Sequence, residues 1–400
     1  MLFDKFQDMI AFRGQLAAQG VKPFGAVTEE IHSATEGVVE GREVILAGTN
    51  NYLGLSWDPR CIEASREAAA RWGTGTTGSR VANGSFAGHQ ALESEIADFY
   101  GVPHGIVFST GYAATMGMCS TLAGPGDVIL LDGDSHASIY AGVRLSGAEI
   151  IRFKHNNPED LAKRLRRLGE RVDNTLIIVE GIYSMLGDVA PLAEFAAVKR
   201  EYGGSLFIDE AHSMGVLGET GRGAAQAAGI EADVDFIAGT FSKSLGGIGG
   251  FCVSPHAELE AIRFCINAYI FTASSAPSVI ASTREALRII RSEPQLRQRL
   301  WDNAQRLYDG LAGLGLRVGP SVSPVVAVVL EDRDATLACW QALLDAGVYV
   351  NMVVPPASPS TYCLLRNSVS AAHTTGQIDT MIAAYASLKD RGLLPAYSGA

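Results

Sequence analysis

Two short segments hold the residues best placed to do chemistry. In Leu206-Phe207-Ile208-Asp209-Glu210-Ala211-His212 an apolar stretch ends in an acid and, three residues on, a histidine. Thirty-four residues after Asp209, the run Gly239-Thr240-Phe241-Ser242-Lys243-Ser244-Leu245-Gly246-Gly247 sets one lysine among hydroxyls and glycines. An amine and a carboxylate delivered in this way suit pyridoxal 5'-phosphate (PLP). The amine condenses with its aldehyde, and the carboxylate keeps the ring nitrogen protonated so that the ring can act as an electron sink. A lysine with the ordinary pKa of ~10.4 is a poor nucleophile at neutral pH, so burial or nearby positive charge is expected to lower that of Lys243. Taken singly, Lys243 reads equally well as a surface lysine and Asp209 as a helix N-cap. The ordered pair is what singles them out.

A phosphate needs backbone N–H groups or hydroxyls. The turn Ser109-Thr110-Gly111-Tyr112-Ala113-Ala114 follows an apolar run and opens helical sequence, and the first amides of a helix favour an anion. Thr240 and Ser242 could add hydroxyl donors. By itself the turn reads more readily as an ordinary helix start. His136, in Leu131-Asp132-Gly133-Asp134-Ser135-His136, follows a further apolar run. There a ring-stacking imidazole and an exposed histidine at a capped helix start are equally good readings. Ser184, in Gly181-Ile182-Tyr183-Ser184-Met185-Leu186-Gly187, lacks the Gly-x-Ser-x-Gly pattern of a hydrolase elbow and reads as a hydroxyl lining the cofactor. No metal site is expected, because the eight histidines include no His-x-x-x-His pair and Asp209 with His212 lacks further ligands nearby.

These residues need elements to hold them. Between about Gly48 and Ser282, short apolar runs alternate with helical patterns: Ile106–Phe108, Val128–Leu131, Ile150–Phe153, Leu176–Val179, Leu206–Ile208 and Phe236–Ala238. Such runs predict strands covered on both faces in a mostly parallel sheet built from βαβ units, whose ligands bind beyond the carboxyl ends of the strands. Before this region, Phe3, Phe6, Ile10 and Phe12 predict an amphipathic helix, followed by a short extended arm. After it come a long helical stretch to Leu314, an apolar run at Val325–Leu330, a helix near Ala335–Ala346 and a strand at Tyr362–Arg366. The expected organisation is a helix and arm over residues 1–46, a large cofactor-binding domain over 47–282 and a smaller α+β domain over 283–400.

Bulk properties exclude several classes. With 47% hydrophobic and 19% charged residues the chain is expected to fold throughout, and a formal net charge of -11 disfavours nucleic acid as a partner. The six cysteines are scattered without a Cys-x-x-Cys pair, which fits reduced, buried thiols and a cytoplasmic location. No apolar run approaches the ~20 residues of a membrane span. That argues against an integral segment and leaves room for a peripheral membrane contact.

With these pieces in order, the chain resembles the α-oxoamine synthases, a branch of the fold type I PLP enzymes. The resemblance runs from Thr49-Asn50-Asn51-Tyr52-Leu53-Gly54 to Ser370-Ala371-Ala372-His373-Thr374. It implies decarboxylative condensation of an amino acid with an acyl-CoA in a homodimer whose active sites lie at the interface. By motif, Lys243 in Thr-Phe-Ser-Lys-Ser would be the Schiff-base lysine, Asp209 the ring-nitrogen partner and His212 a hydrogen-bonding partner of the ring hydroxyl. His136 in Asp-Ser-His-Ala-Ser would stack on the ring. Gly111, Tyr112, Ser184 and Thr240 would line the cofactor, and Thr272 in Tyr269-Ile270-Phe271-Thr272-Ala273-Ser274 would reach the phosphate from the other subunit. Arg366, with Asn51 nearby, would receive the substrate carboxylate.

Within the family, Gly-Thr-Phe-Ser-Lys-Ser-Leu-Gly-Gly-Ile-Gly-Gly-Phe together with Tyr-Ile-Phe-Thr-Ala-Ser most resembles bacterial members that use L-serine and a long-chain acyl-CoA. Those members often carry an arginine before a Pro-Pro pair, where this chain has Val354-Pro355-Pro356. Arg366 is therefore expected to bind the carboxylate alone. Two rivals stand beside this reading: a sister synthase acting on alanine or glycine, and a non-catalytic scaffold subunit, against which the presence of Lys243 argues.

Overall fold

The computed structural model describes residues 1–18, 20–355, 358 and 361–394. Pro356 of the Pro-Pro pair lies outside them. At the N-terminus, a helix at Gln7–Ala18 is followed by β1 (Thr28–Ile31), β2 (Glu36–Val39) and β3 (Arg42–Leu46). The segment expected to be a short extended arm is thus an antiparallel meander, its turn at Glu40-Gly41 taking positive φ at both residues.

The strands predicted from the apolar runs are present as β4 (His104–Phe108), β5 (Val128–Asp132), β6 (Glu149–Phe153), β7 (Thr175–Glu180), β8 (Ser205–Asp209) and β9 (Phe236–Thr240). They belong to a seven-stranded sheet that also takes in β10 (Gly250–Ser254), in the order β4-β10-β9-β8-β7-β5-β6. Every pairing is parallel except those of β10, which is antiparallel to both β4 and β9. The two antiparallel steps restore the direction of β4. The carboxyl ends of β4, β5, β7, β8 and β9 therefore open on one edge, where ligands of such sheets bind.

Burial explains the sequence texture. Along β7, Ile177 and Val179 join the core on one face while Leu176 and Ile178 join the core on the other, so no position is left for a polar side chain to reach water. β6 departs from the expectation of two covered faces. It is the sheet's edge, with Ile150 38% exposed.

After the sheet, the predicted long helical stretch is two helices, Pro277–Ser292 and Gln295–Gly313, separated at Pro294. The expected boundary at 282/283 falls inside the first of them. Then follow β11 (Val325–Leu330), a helix at Arg333–Asp345, β12 (Val348–Tyr349), β13 (Asn351–Val353) and β14 (Cys363–Ser368). β11, β14 and β13 form an antiparallel sheet, while β12 pairs in parallel with β3 and ties the N-terminal meander to this C-terminal region. All six cysteines are free thiols. Five are buried as expected, but Cys265 is exposed.

Candidate active site

At the shared strand edge a cavity of about 210 Å³ is lined by residues from five strand ends, among them Gly111, His136, Glu180, Asp209 and Lys243. Lys243 follows β9 by three residues, in a loop whose Ser244 hydroxyl donates to the Met214 carbonyl at 2.6 Å. Burial lowers the Lys243 pKa to about 8, and Arg366 pushes the same way against the attraction of Asp209 and Glu180. The lowering expected from the chemistry is therefore present, with burial as its main cause.

Asp209 ends β8. Its Oδ2 accepts from Thr115 Oγ1 at 3.0 Å and its Oδ1 from the Ala211 amide at 2.9 Å, which fixes the carboxylate while leaving lone pairs for a further donor. The adjacent Glu210 faces away from the cavity and accepts the amides of Ala224 and Ala225, both at 2.8 Å. Burial lifts its pKa to about 7. Strand alternation thus divides two neighbouring acids between the cavity and the scaffold.

His212 is buried, and one ring nitrogen, Nδ1, lies 2.7 Å from the Tyr52 hydroxyl. Burial, then the charges of Lys243 and Arg366, hold its pKa well below 6.5. His136 unites the two readings left open by its sequence. It caps the helix Ala137–Ser146, Nδ1 accepting from the Ser138 amide at 3.2 Å, and its ring also lines the cavity. Burial lowers its pKa. With Nδ1 accepting, the neutral ring carries its proton on Nε2.

Gly111 begins the helix Gly111–Thr121, whose N-cap Thr110 accepts from the Ala113 amide at 3.0 Å. A Cβ at Gly111 would lie 2.5 Å from the Thr240 Cβ, so only glycine lets the helix start approach β9 this closely. Thr240 and Ser242 hydroxyls sit 2.8 Å apart on the cavity wall, and Tyr112 lines it as well. The helix amides with the two hydroxyls form a cradle suited to a phosphate. An amine, a ring-facing carboxylate and this cradle on one cavity fit PLP.

Arg366, on β14, is 4% exposed. Its Nε donates to the Ser184 carbonyl at 2.6 Å, and Nη1 donates to Asn50 Oδ1 at 3.1 Å and Ser368 Oγ at 2.9 Å. Nη2 is buried with no protein acceptor, an expensive state for a charged donor and one that a substrate carboxylate would relieve. Two expected residues are placed differently from Arg366. Asn51 spends its amide on Ser56 Oγ at 2.7 Å, and it is Asn50 that meets the guanidinium. Ser184 is half-buried and meets Arg366 through its backbone. Thr272 lines a separate small depression with Arg80 and Tyr269.

A family model described as aminotransferase class I and II matches residues 42–384. The chain belongs to this family. It is 59% identical over 387 residues to a serine palmitoyltransferase of Caulobacter vibrioides, covering 96% of this chain and 95% of that one. To the serine palmitoyltransferase of Sphingomonas paucimobilis it is 49% identical over 384 residues, covering 95% and 91%. A serine palmitoyltransferase structure solved with PLP superposes with a TM-score of 0.95 at 48% identity, covering 98% of this chain and all of that one. The resemblance to the α-oxoamine synthases drawn from the motifs therefore holds.

Several cavity residues escaped the sequence reading. Thr115 lies one turn beyond Gly111 on the same helix face, a spacing that could have revealed it. Glu180 ends β7 as Asp209 ends β8, so the strand-end logic applied equally. Its carboxyl group accepts the His136 amide, and burial raises its pKa well above the usual carboxylate range. Behind the cavity, Tyr52 and Asn50, which meet His212 and Arg366, lie in the Thr49–Gly54 motif, but nothing in that motif alone gives them those partners.

Proposed function

We propose that this protein is a PLP-dependent acyltransferase that condenses L-serine with a long-chain acyl-CoA such as palmitoyl-CoA, releasing CoA and carbon dioxide and forming 3-ketodihydrosphingosine, the first step of sphingolipid synthesis. The observation that carries the reading is the meeting of Lys243, Asp209 and His136 on one cavity, in a chain 59% identical to a serine palmitoyltransferase.

When bound, PLP supplies an aldehyde for an amino group and a ring that accepts the electrons left as a bond to the α-carbon breaks. The protein's residues do the rest. Asp209, immobilised by Thr115 and Ala211, offers its carboxylate to a protonated ring nitrogen. Lys243 Nζ, its pKa brought down to about 8 by burial, would anchor the aldehyde and would be the base that accepts the α-proton of serine. Arg366 Nη2 receives the serine carboxylate, and His136 Nε2–H holds the same group so that the bond to be broken keeps its orientation. His212, kept neutral, offers Nε2 to the ring hydroxyl. Gly111, Tyr112, Thr240 and Ser242 hold the phosphate.

The protein acts, in this reading, as a homodimer in which Thr272 completes the partner's phosphate site, and it works in the cytoplasm. Among the described residues no helix is long and apolar enough to cross a membrane. The test is to offer purified enzyme serine, alanine and glycine separately, each with short and long acyl-CoAs, and to identify products by mass. Serine with a long chain should give the main product, and preference for alanine or glycine overturns the assignment.

A further inference from the structure

The cavity beside Lys243 is small and walled by carboxylates, imidazoles and hydroxyls, a poor place for a long hydrocarbon chain. A second cavity, of about 770 Å³, lies beneath the helix Gln7–Ala18, and its wall includes Met9, Phe12, Leu16, Phe24 and Val354. Phe12 meets Phe24 edge-on at 6.2 Å, and the Arg333 guanidinium lies over the Phe12 ring at 4.4 Å. Leu16 is the only residue of this helix that is buried, so the helix stands over the cavity rather than filling it. Apolar surface left open in this way marks a place where something apolar binds.

Two features say what that is. Of the cations on the wall, Lys22 is held by Glu40 at 3.1 Å and Arg333 lies 3.6 Å from Asp334, which leaves Arg13 to meet a ligand that is apolar at one end and anionic at the other. Val354 directly follows β13, whose Asn351 pairs with Arg366 on β14. Three extended residues span ~10 Å, so the wall begins about that far along the strand from the candidate site. A sixteen-carbon chain covers ~15 Å, half the ~30 Å of a bilayer's hydrocarbon core, and bridges that gap.

We infer that the cavity under the Gln7–Ala18 helix holds the fatty-acyl chain of the thioester substrate, with Arg13 facing its phosphorylated carrier. This rests on the reading given under Proposed function and assigns the part of that substrate which sets chain-length preference. Each methylene buried there favours binding about fourfold.

The test fills the cavity in the full-length holoenzyme from positions that tolerate bulk. Ala17 is exposed and Met9 is 52% exposed, so Ala17→Trp and Met9→Trp leave the buried core untouched. Kinetics with serine and acyl-CoAs of eight to eighteen carbons should show the ratio of kcat/KM for sixteen carbons over that for eight falling about tenfold or more in each variant, the equivalent of losing two buried methylenes. An unchanged ratio in both folded variants overturns the inference. So does a change confined to sedimentation with lipid vesicles or to oligomeric mass, which would make the cavity a membrane contact or a seat for a second copy. If the unsubstituted enzyme makes no product from serine at any chain length, it is the functional reading that falls instead.

Discussion

Lys243 and His155 are two basic side chains on the same half of the molecule, both withdrawn from water, and their environments push them in opposite directions. Lys243 follows β9 and is half-buried on the cavity wall, and the loss of water around it brings its pKa down to about 8. His155 follows β6. Burial alone would lower its pKa too, but Asp132 Oδ1 at 2.8 Å and Asp188 Oδ2 at 2.6 Å raise it to about 10. The difference lies in hydrogen bonding to the charged form. His155 has a carboxylate on each ring nitrogen, whereas Lys243 has Asp209 and Glu180 only at longer range, opposed by Arg366. One site brings a base's pKa down towards neutral pH, where it can give up its charge for chemistry. The other keeps a charge for architecture: Asp132 ends the strand that leads to His136, and Asp188 lies in the loop that carries Ser184, so protonated His155 ties two walls of the site together.

The largest expected effect comes from removing the lysine. Lys243→Ala takes away both the anchor and the proton acceptor, and kcat should fall by at least about a thousandfold with folding retained. Product formation together with the visible absorbance of the purified protein checks this, and a coloured, active variant refutes the assignment. Next comes the cation that assists it. Arg366→Lys keeps the charge but loses the planar fork, so KM for serine should rise about ten- to a hundredfold while KM for the acyl-CoA moves much less. Equal rises in both would place Arg366 outside the carboxylate site.

His155→Gln acts on the architectural partner. It leaves Asp132 and Asp188 facing each other without the charge between them. Breaking a fully buried pair costs about 3–5 kcal/mol, but the His155 side chain is 27% exposed, so about 1–3 kcal/mol is expected, read as a lower denaturant midpoint with little change in slope. A variant as stable as the original at pH 7 would mean that His155 is not charged there.

How much of this was readable from the chain follows a physical line. Apart from the edge strand β6, the apolar runs and the residues at their ends were legible because strands covered on both faces are apolar throughout, and a polar group appears where the strand stops. Lys243, Asp209 and His136 were found by that logic. β10 was missed because its antiparallel direction has no signature in Gly250–Ser254 alone. Asn50, which meets Arg366 where Asn51 was expected nearby, could not be singled out because neighbours in an irregular loop point different ways, and only the fold decides which reaches the guanidinium. The Asp132–His155–Asp188 cluster joins three separate loops, so no spacing could announce it.

The smallest effect separates the two bases most directly. Where the unfolded chain binds more protons than the folded one, stability rises with pH, and where it binds fewer, stability falls. The folded pKa of Lys243 lies below its unfolded value of ~10.4. In cofactor-free protein its burial therefore costs stability below about 8, and that cost disappears as pH climbs from about 8 towards the unfolded value. The folded pKa of His155 lies above its unfolded value of ~6.5. Its contribution is complete below that value and is lost as pH rises through about 10. Lys243→Met should thus be more stable than the parent at pH 7, with the gap closing by pH 10, whereas His155→Gln should be less stable at pH 6, with its gap closing over the same climb. Denaturant midpoints of both cofactor-free variants across pH 6 to 10 check this. Gaps that close from the same side would mean that the two bases sit in like environments and that the contrast between them is wrong.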